Sequence, residues 1–423
     1  MKQTFDKVFL FFFLAMTSGA VRRVLGGHGA LQAGGSNSTA ISGGNSDPLL
    51  LMFTVLLTSA AILGGFLKLR RIRTVLFSMA AIPALYLFAA MSILWTAGAI
   101  ETVRACAYLM IYLVAAAYIA AELRPAELVR CTATSMVVLG LLSIPAQFTL
   151  PANGDFAPGW TGVFPQKNDL GAAMAIGVAA LAAAGRKWTL SRIGALAVCV
   201  ALLVLSQSFT AVVTAAIALI GVFYARSSGQ IRMVLLVSLA GAAMIFAFTV
   251  SSLGDFFTST TGKDLTFTGR TEIWSMVAAK ILERPVLGYG YGAFWATQAD
   301  SINQFSVWKP GQSHNGYLDI CLNLGVSGLL LVLFLIAESL RRARRLRSEY
   351  RSRAGVWLLM VVLMLLVRNF AEASFLDLSL TWSTMLMAVF SARKAEYLAM
   401  TTAVTRRHRD RAIEILPPAA VLP

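Results

Sequence analysis

Residues 316–340 read GYLDICLNLGVSGLLLVLFLIAESL, and seven arginines follow between Arg341 and Arg353. An apolar helix of about 20 residues is long enough to cross the hydrocarbon core of a membrane. A dense basic segment after such a run is typical of its cytoplasmic end, because loops rich in Lys and Arg stay inside. The run therefore predicts a membrane span whose N-terminal end, next to His314, faces outward.

The rest of the chain has the same character. Of its 423 residues, 57% are hydrophobic and 13% are charged, which leaves too little polar surface to cover a soluble globule. Apolar runs of spanning length recur near 5–21, 48–67, 74–95, 103–121, 128–149, 169–185, 190–206, 209–225, 231–250, 316–340, 355–370 and 375–392. We therefore predict an all-α fold, a polytopic transmembrane helical bundle of about 12 spans that forms a single integral membrane domain over residues 1–423.

The net charge of +16 is explained by the placement of the cations rather than by nucleic acid. Basic residues lie at alternate ends of the predicted spans, so most of them fall on one side of the bilayer. That side holds both termini, the basic loop 341–353 and the tail 397–423, which we predict to be cytoplasmic. The segment 26–47, rich in Gly, Ser and Asn, is predicted to be a flexible outer loop. The expected partner is the lipid bilayer, with no nucleic acid.

The four cysteines lie in or at the ends of predicted helices and form no CxxC pair. Neither a disulfide framework nor a zinc site is therefore predicted. The chain also lacks a DxD string and a His/carboxylate cluster of metal-ligand spacing. We expect no metal and no cofactor.

The large loop 251–315 is the longest interruption between apolar runs, and we predict that it is periplasmic and holds the functional site. Its segment Arg270–Glu283 predicts a short amphipathic helix, with Arg284 in the last turn and Pro285 ending it. The residues expected on its apolar face are Ile273, Trp274, Val277, Ile281 and Leu282. Such a helix lies on the membrane surface and would hold Arg270 at the boundary between water and lipid.

Two further features of this loop concern its glycines and its histidine. The spacing Gly288-x-Gly-x-Gly predicts a bend that folds the loop back onto the bundle. The aromatic side chains near it are expected to form a lipid-facing belt, with faces for sugar stacking as the alternative. His314 directly precedes a helix that Ser313 or Asn315 can cap. The helix dipole there favours a neutral imidazole that accepts a proton. The alternative interpretation is a capping or headgroup-binding residue.

Other cations are expected on the same outer side, each with a plainer alternative. Lys167 stands at the N-terminus of a predicted span and predicts an anion site, although Asn168 or Asp169 as an ordinary N-cap is the simpler interpretation. Arg104 either binds an anionic headgroup or extends its side chain to the interface. Arg368 and Glu372 either complete the pocket together or form an ion pair that only fixes their helix.

Four strings together resemble the O-antigen ligase/polymerase family, which includes Wzy-type polymerases and exopolysaccharide polymerases of the succinoglycan (ExoQ) kind. They are GVFPQKNDLG (162–171), TGRTEIW (268–274), PVLGYG (285–290) and SHNGYL (313–318). The resemblance covers roughly residues 90–390. It implies a protein of the bacterial inner membrane that takes an oligosaccharide linked to undecaprenyl diphosphate and transfers it, without a metal, to an acceptor hydroxyl.

The resemblance also implies roles for individual residues. Arg270 would stabilise the diphosphate leaving group as a catalytic residue, and His314 would assist the acceptor hydroxyl. The substrate-binding residues that we expect around them are Lys167, Arg104, Arg284, Asn315, Tyr317 and Arg368. Fixed cations at that position stabilise the charge that develops as the anomeric C–O bond breaks. A chain-length regulator and export proteins are the expected protein partners.

Three alternative functions remain open. Polymerase and O-antigen ligase differ in the acceptor, which is another lipid-linked repeat or lipid A core, and the resemblance to exopolysaccharide polymerases favours polymerisation. A polysaccharide transporter or flippase would also fit many spans, but the sequence shows no internal repeat and little charge within the runs. A purely structural subunit would leave Arg270 and His314 unexplained.

Overall fold

The computed structural model describes residues 2–25, 48–150, 159–185, 188–226, 270–303, 311–350 and 352–414. The predicted outer loop 26–47 and the apolar run 231–250 lie outside this range. The described part of the chain is helical, as predicted. Its α-helices are α1 Lys2–Thr17, α2 Ala20–Leu25, α3 Pro48–Leu67, α4 Leu69–Leu76, α5 Ala81–Met91, α6 Ala99–Glu122, α7 Pro125–Thr149, α8 Lys167–Ala183, α9 Leu190–Leu205, α10 Phe209–Arg226, α11 Arg270–Glu283, α12 Phe294–Thr297, α13 Asp300–Asn303, α14 Gly316–Ser348, α15 Arg353–Arg368 and α16 Leu380–Glu414.

The apolar helices indicate a membrane protein. Among the described residues, α6, α7 and α14 are long and apolar enough to cross a bilayer, and α4 with α5 makes a fourth candidate if that bent pair is one span. Helices α9 and α10 are apolar but shorter. The predicted runs mostly coincide with helices, and the count of twelve spans stays a prediction.

The predicted run 74–95 is not one straight helix. Helix α4, which contains Arg70, Arg71 and Arg73, meets the next helical segment at an angle of 93°. The basic segment after residue 67 is therefore helical. Helix α4 is amphipathic: Ile72 and Val75 are buried, while the arginines are exposed.

The run 316–340 is also interrupted, because α14 has a kink at Gly325. This glycine has φ 66° and ψ −170°, a backbone conformation that side-chain-bearing residues avoid. The segment after Pro285 supplies the hydrogen bonds that the break leaves open: Val326 N donates to Pro285 O at 2.8 Å and Tyr289 N donates to Leu322 O at 2.9 Å. A Cβ at Gly325 would lie 2.1 Å from Val286 O. Close approach of this loop therefore requires glycine.

Helices α8 and α15 form the centre of the bundle. Every residue of α8 from Leu170 to Ala183 is buried, as the run of Ala and Gly predicts for close helix packing. A Cβ at Gly171 would lie 2.6 Å from Ala211 Cβ of α10. Helix α15 packs against α8, α10, α14 and α16. The first residues of α8 and the last residues of α15 therefore meet at one end of the bundle.

Helix α16 begins at Leu380 and continues to Glu414, through the first part of the segment predicted as a solvated tail. Residues 415–423 lie outside the described range. Apolar residues from Trp382 to Ala392 fill the core, and Trp382 Nε1 donates to Tyr86 Oη at 3.1 Å.

Candidate functional site

His314 lies in the short connection that leads into α14. Asn315 caps this helix, because its Oδ1 accepts from Tyr317 N at 3.0 Å and from Leu318 N at 3.3 Å. Gly316 N donates to Asn369 O at 2.8 Å, and a Cβ at Gly316 would lie 1.8 Å from Asn369 Oδ1. The start of α14 is thus fixed against the end of α15.

The backbone of His314 has φ 53°, in the left-handed region. A non-glycine residue adopts this conformation at a cost of about 1–2 kcal/mol. Strain of this kind persists where the surrounding structure imposes it, and it is concentrated at functional sites. The imidazole is 8% exposed, so the strained backbone directs a nearly buried ring.

In this orientation the imidazole contacts the carboxylate of Glu372. His314 Nδ1 lies 3.2 Å from Glu372 Oε2, and Glu372 is itself buried. The other carboxylate oxygen, Oε1, accepts from Asn168 Nδ2 at 2.7 Å, and Asn168 Oδ1 accepts from Ser208 Oγ at 2.9 Å. A proton on Nδ1 completes this chain of hydrogen bonds and leaves Nε2 as the acceptor of the ring.

Arg368 and Asp169 flank this chain. Arg368 Nη2 lies 3.6 Å from Asp169 Oδ1, and its Nη1 donates to Asn168 O at 3.3 Å. The structure thus pairs Arg368 with Asp169 across two helices, whereas the sequence suggested a pair with Glu372. The expectation that Asn168 or Asp169 caps α8 is also wrong: Gln166 is the N-cap, and both residues lie inside the first turn. Their side chains instead join the network around His314.

Helix α11 has the bounds predicted for the amphipathic loop helix. Ile273 and Val277 are buried in a small apolar cluster with Phe294, Ile302 and Leu322. Leu282, which was expected on the apolar face, is 77% exposed because the helix turns it away from this cluster.

Trp274 connects α11 to the site. Its Nε1 donates to Ser313 O at 2.9 Å, next to His314. Arg270, one helical turn before Trp274, is the first residue of α11, and its side chain lies outside the described part of the structure.

The glycine-rich bend folds onto the bundle as predicted, but its aromatic residues do not form a lipid-facing belt. Tyr289, Tyr291 and Phe294 are buried. Tyr291 Oη donates to Leu376 O at 2.5 Å, and Trp295 Nε1 donates to Asp319 Oδ1 at 2.9 Å. Through these hydrogen bonds the aromatic residues join the loop to α14 and to the segment after α15.

The other expected substrate-binding residues are spread more widely. Lys167 is half-buried at the first position of α8, next to Asn168. Tyr317 donates from Oη to Leu366 O at 3.0 Å and packs against Phe370, which gives it a structural contact. Arg104 is exposed on α6. Arg284 is exposed and its Cζ lies 5.0 Å from the centre of the Tyr289 ring, beside the segment that packs into the Gly325 break.

A cavity of about 50 Å³ lies one turn along α14 from His314. Its polar lining comes from Trp295, Asp319, Asn323 and Asp377. Asp319 also accepts from Ser313 N at 3.3 Å, so this cavity and the His314 connection share a carboxylate. Within the described residues, no group of three or more His, Cys, Asp and Glu side chains is arranged to hold a metal ion.

Sequence reasoning overlooked Asn168 and undervalued Glu372. Asn168 was considered only as a helix cap, and Glu372 was considered together with Arg368, either as part of the pocket or as its ion-pair partner, but not as a partner of His314. Both stand at the same predicted end of a span as His314. An amide and a carboxylate that are buried at the end of a span need polar partners. Their presence next to apolar runs is therefore the signal that could have identified them.

Comparison with known proteins finds similarity to proteins described by exopolysaccharide production and by polysaccharide ligation. Residues 193–333 match the family model described as O-antigen ligase. The exopolysaccharide production protein ExoQ of Rhizobium meliloti is 29% identical over 248 residues, which are 53% of this chain and 56% of ExoQ. This chain thus spans about half the length of that relative. The resemblance noted from the four sequence strings is confirmed.

Shorter matches join the chain to proteins described as candidate polysaccharide ligases. One from Rickettsia conorii is 35% identical over 86 residues, or 19% of this chain and 21% of the relative. One from Rickettsia felis is 33% identical over 86 residues, with the same shares.

Proposed function

We propose that the protein polymerises oligosaccharide repeat units linked to undecaprenyl diphosphate, at the outer face of the bacterial inner membrane. The observation that carries the proposal is the buried pair of His314 and Glu372 at the start of α14, 3.2 Å apart. A histidine held by a carboxylate is the arrangement of a general base, because the carboxylate fixes the tautomer and stabilises the imidazolium that forms.

In the proposed reaction, His314 Nε2 takes the proton of the acceptor hydroxyl. The hydroxyl oxygen forms a bond to the anomeric carbon of the donor as the bond from that carbon to the diphosphate oxygen breaks. The electron pair leaves with the diphosphate, and undecaprenyl diphosphate is released. The chain's own residues supply the base and the cations, so the proposed transfer needs no cofactor.

Arg270 is the proposed stabiliser of the diphosphate. It precedes Trp274 by four residues, or about 6 Å along the helix, and the Trp274 indole is hydrogen-bonded to Ser313 O beside His314. This contact supports a position of Arg270 near the imidazole. Guanidinium groups bind phosphate oxygens in a bidentate manner and stabilise the developing charge. Lys167, which precedes Asn168, is the second cation that we propose for the diphosphate.

The similarity to ExoQ favours polymerisation, with secreted exopolysaccharide as the product. The family model and the two Rickettsia relatives favour a second candidate, O-antigen ligase activity with lipid A core as the acceptor. The two functions share the donor and the leaving group. The acceptor decides between them.

The test uses the purified full-length protein in detergent with a lipid-linked repeat unit. We expect lipid-linked products longer than one repeat. His314→Ala and Arg270→Ala should each lower the rate by on the order of 10²–10³-fold. Arg270→Lys should recover little of it, because an ammonium group lacks the bidentate fork. Arg341→Ala, at the other end of α14, is the control that keeps the rate.

Other outcomes separate the alternatives. Transfer to lipid A core without chain extension would replace polymerase by ligase. Movement of the lipid-linked sugar across vesicles, with no new glycosidic bond, would replace the enzyme by a flippase. Wild-type rates in both alanine variants would refute the assignment of the site.

A further inference from the structure

A second and larger cavity lies near the opposite end of the bundle from His314. Its volume is about 340 Å³, and it lies between α10, α14 and α15. Apolar side chains make up most of its lining, from Ile217, Ile220, Leu340, Leu359 and Leu363. Arg344, Arg347 and Tyr224 also line it. We call this space the Arg347 cavity.

The guanidinium of Arg347 is held in place and still has a free donor. Its Cζ lies 5.4 Å from the centre of the Tyr224 ring, so a cation–π contact fixes the group against α10. Its Nη1 atom is buried and has no hydrogen-bond partner among the described residues. Buried donors are nearly always paired in proteins, so an orphan donor beside a cavity points to a missing acceptor.

The missing acceptor is most consistent with phosphate. Guanidinium groups pair with phosphate oxygens through two parallel hydrogen bonds. Arg344 lines the same cavity, and the segment 341–353 carries seven arginines. The apolar lining, in contrast, offers nothing to a free anion and suits a hydrocarbon chain. A ligand that matches both parts is an amphiphile with a phosphate head.

The predicted side of the membrane selects the kind of amphiphile. The basic segment is predicted to lie on the cytoplasmic side, where the leaflet carries anionic lipid, and basic pockets between transmembrane helices on that side bind phospholipid headgroups. We propose that the Arg347 cavity binds an anionic glycerophospholipid, with its phosphate on Arg347 and Arg344 and one acyl chain along the apolar lining. This site is independent of the glycan site at the start of α14.

The test measures lipid retention by the purified full-length protein. The protein in neutral detergent is mixed with phosphatidylglycerol or phosphatidylcholine, and bound lipid is counted by native mass spectrometry across a concentration series. We expect the wild type to hold phosphatidylglycerol more tightly than phosphatidylcholine. Arg347→Gln should weaken phosphatidylglycerol binding by about fivefold or more, the loss expected for one cation at an anionic headgroup.

Matched variants distinguish a site from general attraction. Arg341→Gln removes the same charge from the exposed surface of α14 and should leave binding unchanged. Ile217→Trp fills the apolar part and should also weaken binding. Arg347→Lys keeps the charge and should retain part of the affinity, which covers the case in which Arg347→Gln does not fold.

Three results would overturn the proposal. If Arg341→Gln weakens binding as much as Arg347→Gln, the lipid is attracted by net charge alone. If excess inorganic phosphate displaces the lipid completely and Ile217→Trp has no effect, the cavity holds phosphate without an acyl chain. If the wild type holds neither lipid preferentially, the cavity has another occupant.

Discussion

The two ends of the helical bundle handle buried charge in different ways. At the end opposite to His314, Lys394 donates to Ala121 O at 2.6 Å, in the last turn of α6, and to O of the C-cap residue Leu123 at 2.9 Å. Lys68 and Arg71 pair with Glu122 at the same helix end. At the His314 end, Glu372 instead holds an imidazole, and Asn168 connects that carboxylate to a third helix.

The difference between the two ends separates a polar cluster that the fold requires from one that it does not require. Helix C-termini leave their last carbonyls without partners, and a lysine there satisfies them and complements the helix dipole. Lys394 thus has a complete structural explanation. The start of α14 has its cap in Asn315, so His314 is not needed for that purpose. Its strained backbone and its buried acid fit the chemistry that we propose for the ring.

The largest effect that tests this contrast is expected from Glu372→Gln. A glutamine keeps the size of the side chain but loses the charge that stabilises an imidazolium. We expect the rate of glycan transfer to fall by about 10²-fold, with little change in KM, because Glu372 acts through His314 and not on the substrate. Steady-state kinetics of the purified variant give both values.

The control for this experiment is Glu396→Gln at the other end, where Glu396 pairs with Arg342 and Arg393. It should leave the rate per folded molecule unchanged. The double variant His314→Ala with Glu372→Gln should be no slower than His314→Ala alone. An additive loss would show that Glu372 acts separately from the histidine.

Lys394→Met should have a smaller effect, on stability alone. The methionine keeps the apolar stem but leaves the final carbonyls of α6 without their donor. A loss of about 1–3 kcal/mol in unfolding free energy is expected for buried acceptors that lose a charged partner. Thermal unfolding in detergent measures the effect as a lower Tm, with the activity of the remaining folded protein as the second readout. A drop in activity at unchanged Tm would contradict the structural role.

Much of the fold follows from the sequence because helix and span lengths are set by apolar periodicity. Helix α11 begins and ends where the apolar spacing and Pro285 predict. The break at Gly325 was not predicted, since the residues that replace its hydrogen bonds come from the separate segment 285–290. When a kink depends on a partner that is distant in sequence, the only local sign of it is a glycine.

The site was also only partly predictable, because some of its features are local in sequence and others depend on how the helices pack. His314 was identified because a histidine before an apolar helix is unusual in an otherwise apolar chain. Its contact with Glu372 depends on how α14 and α15 pack, which no spacing within either segment specifies. The aromatic residues of the glycine-rich bend were assigned to the membrane surface on composition. Burial of Tyr291 against Leu376 is a tertiary contact that composition does not encode.

The smallest effect is expected at an exposed ion pair, which sharpens the contrast with both buried ends. Hydrogen bonds from Lys280, at 2.7 Å, and from Tyr289, at 2.7 Å, lower the pKa of Glu283 below its usual value of 4.5. An acid whose pKa is lower in the folded state contributes stability above the unfolded pKa, and this is lost as the pH falls through the folded pKa.

Because Glu283 is exposed, the contribution is about 0.5 kcal/mol or less. Glu283→Gln should therefore speed hydrogen–deuterium exchange in the segment 284–292 slightly at pH 6 and less at pH 3, measured against wild type at each pH. Glu272→Gln, an exposed acid on the same helix, should change neither. Equal acceleration by Glu283→Gln at both pH values would mean that the carboxylate's charge plays no part in holding this loop.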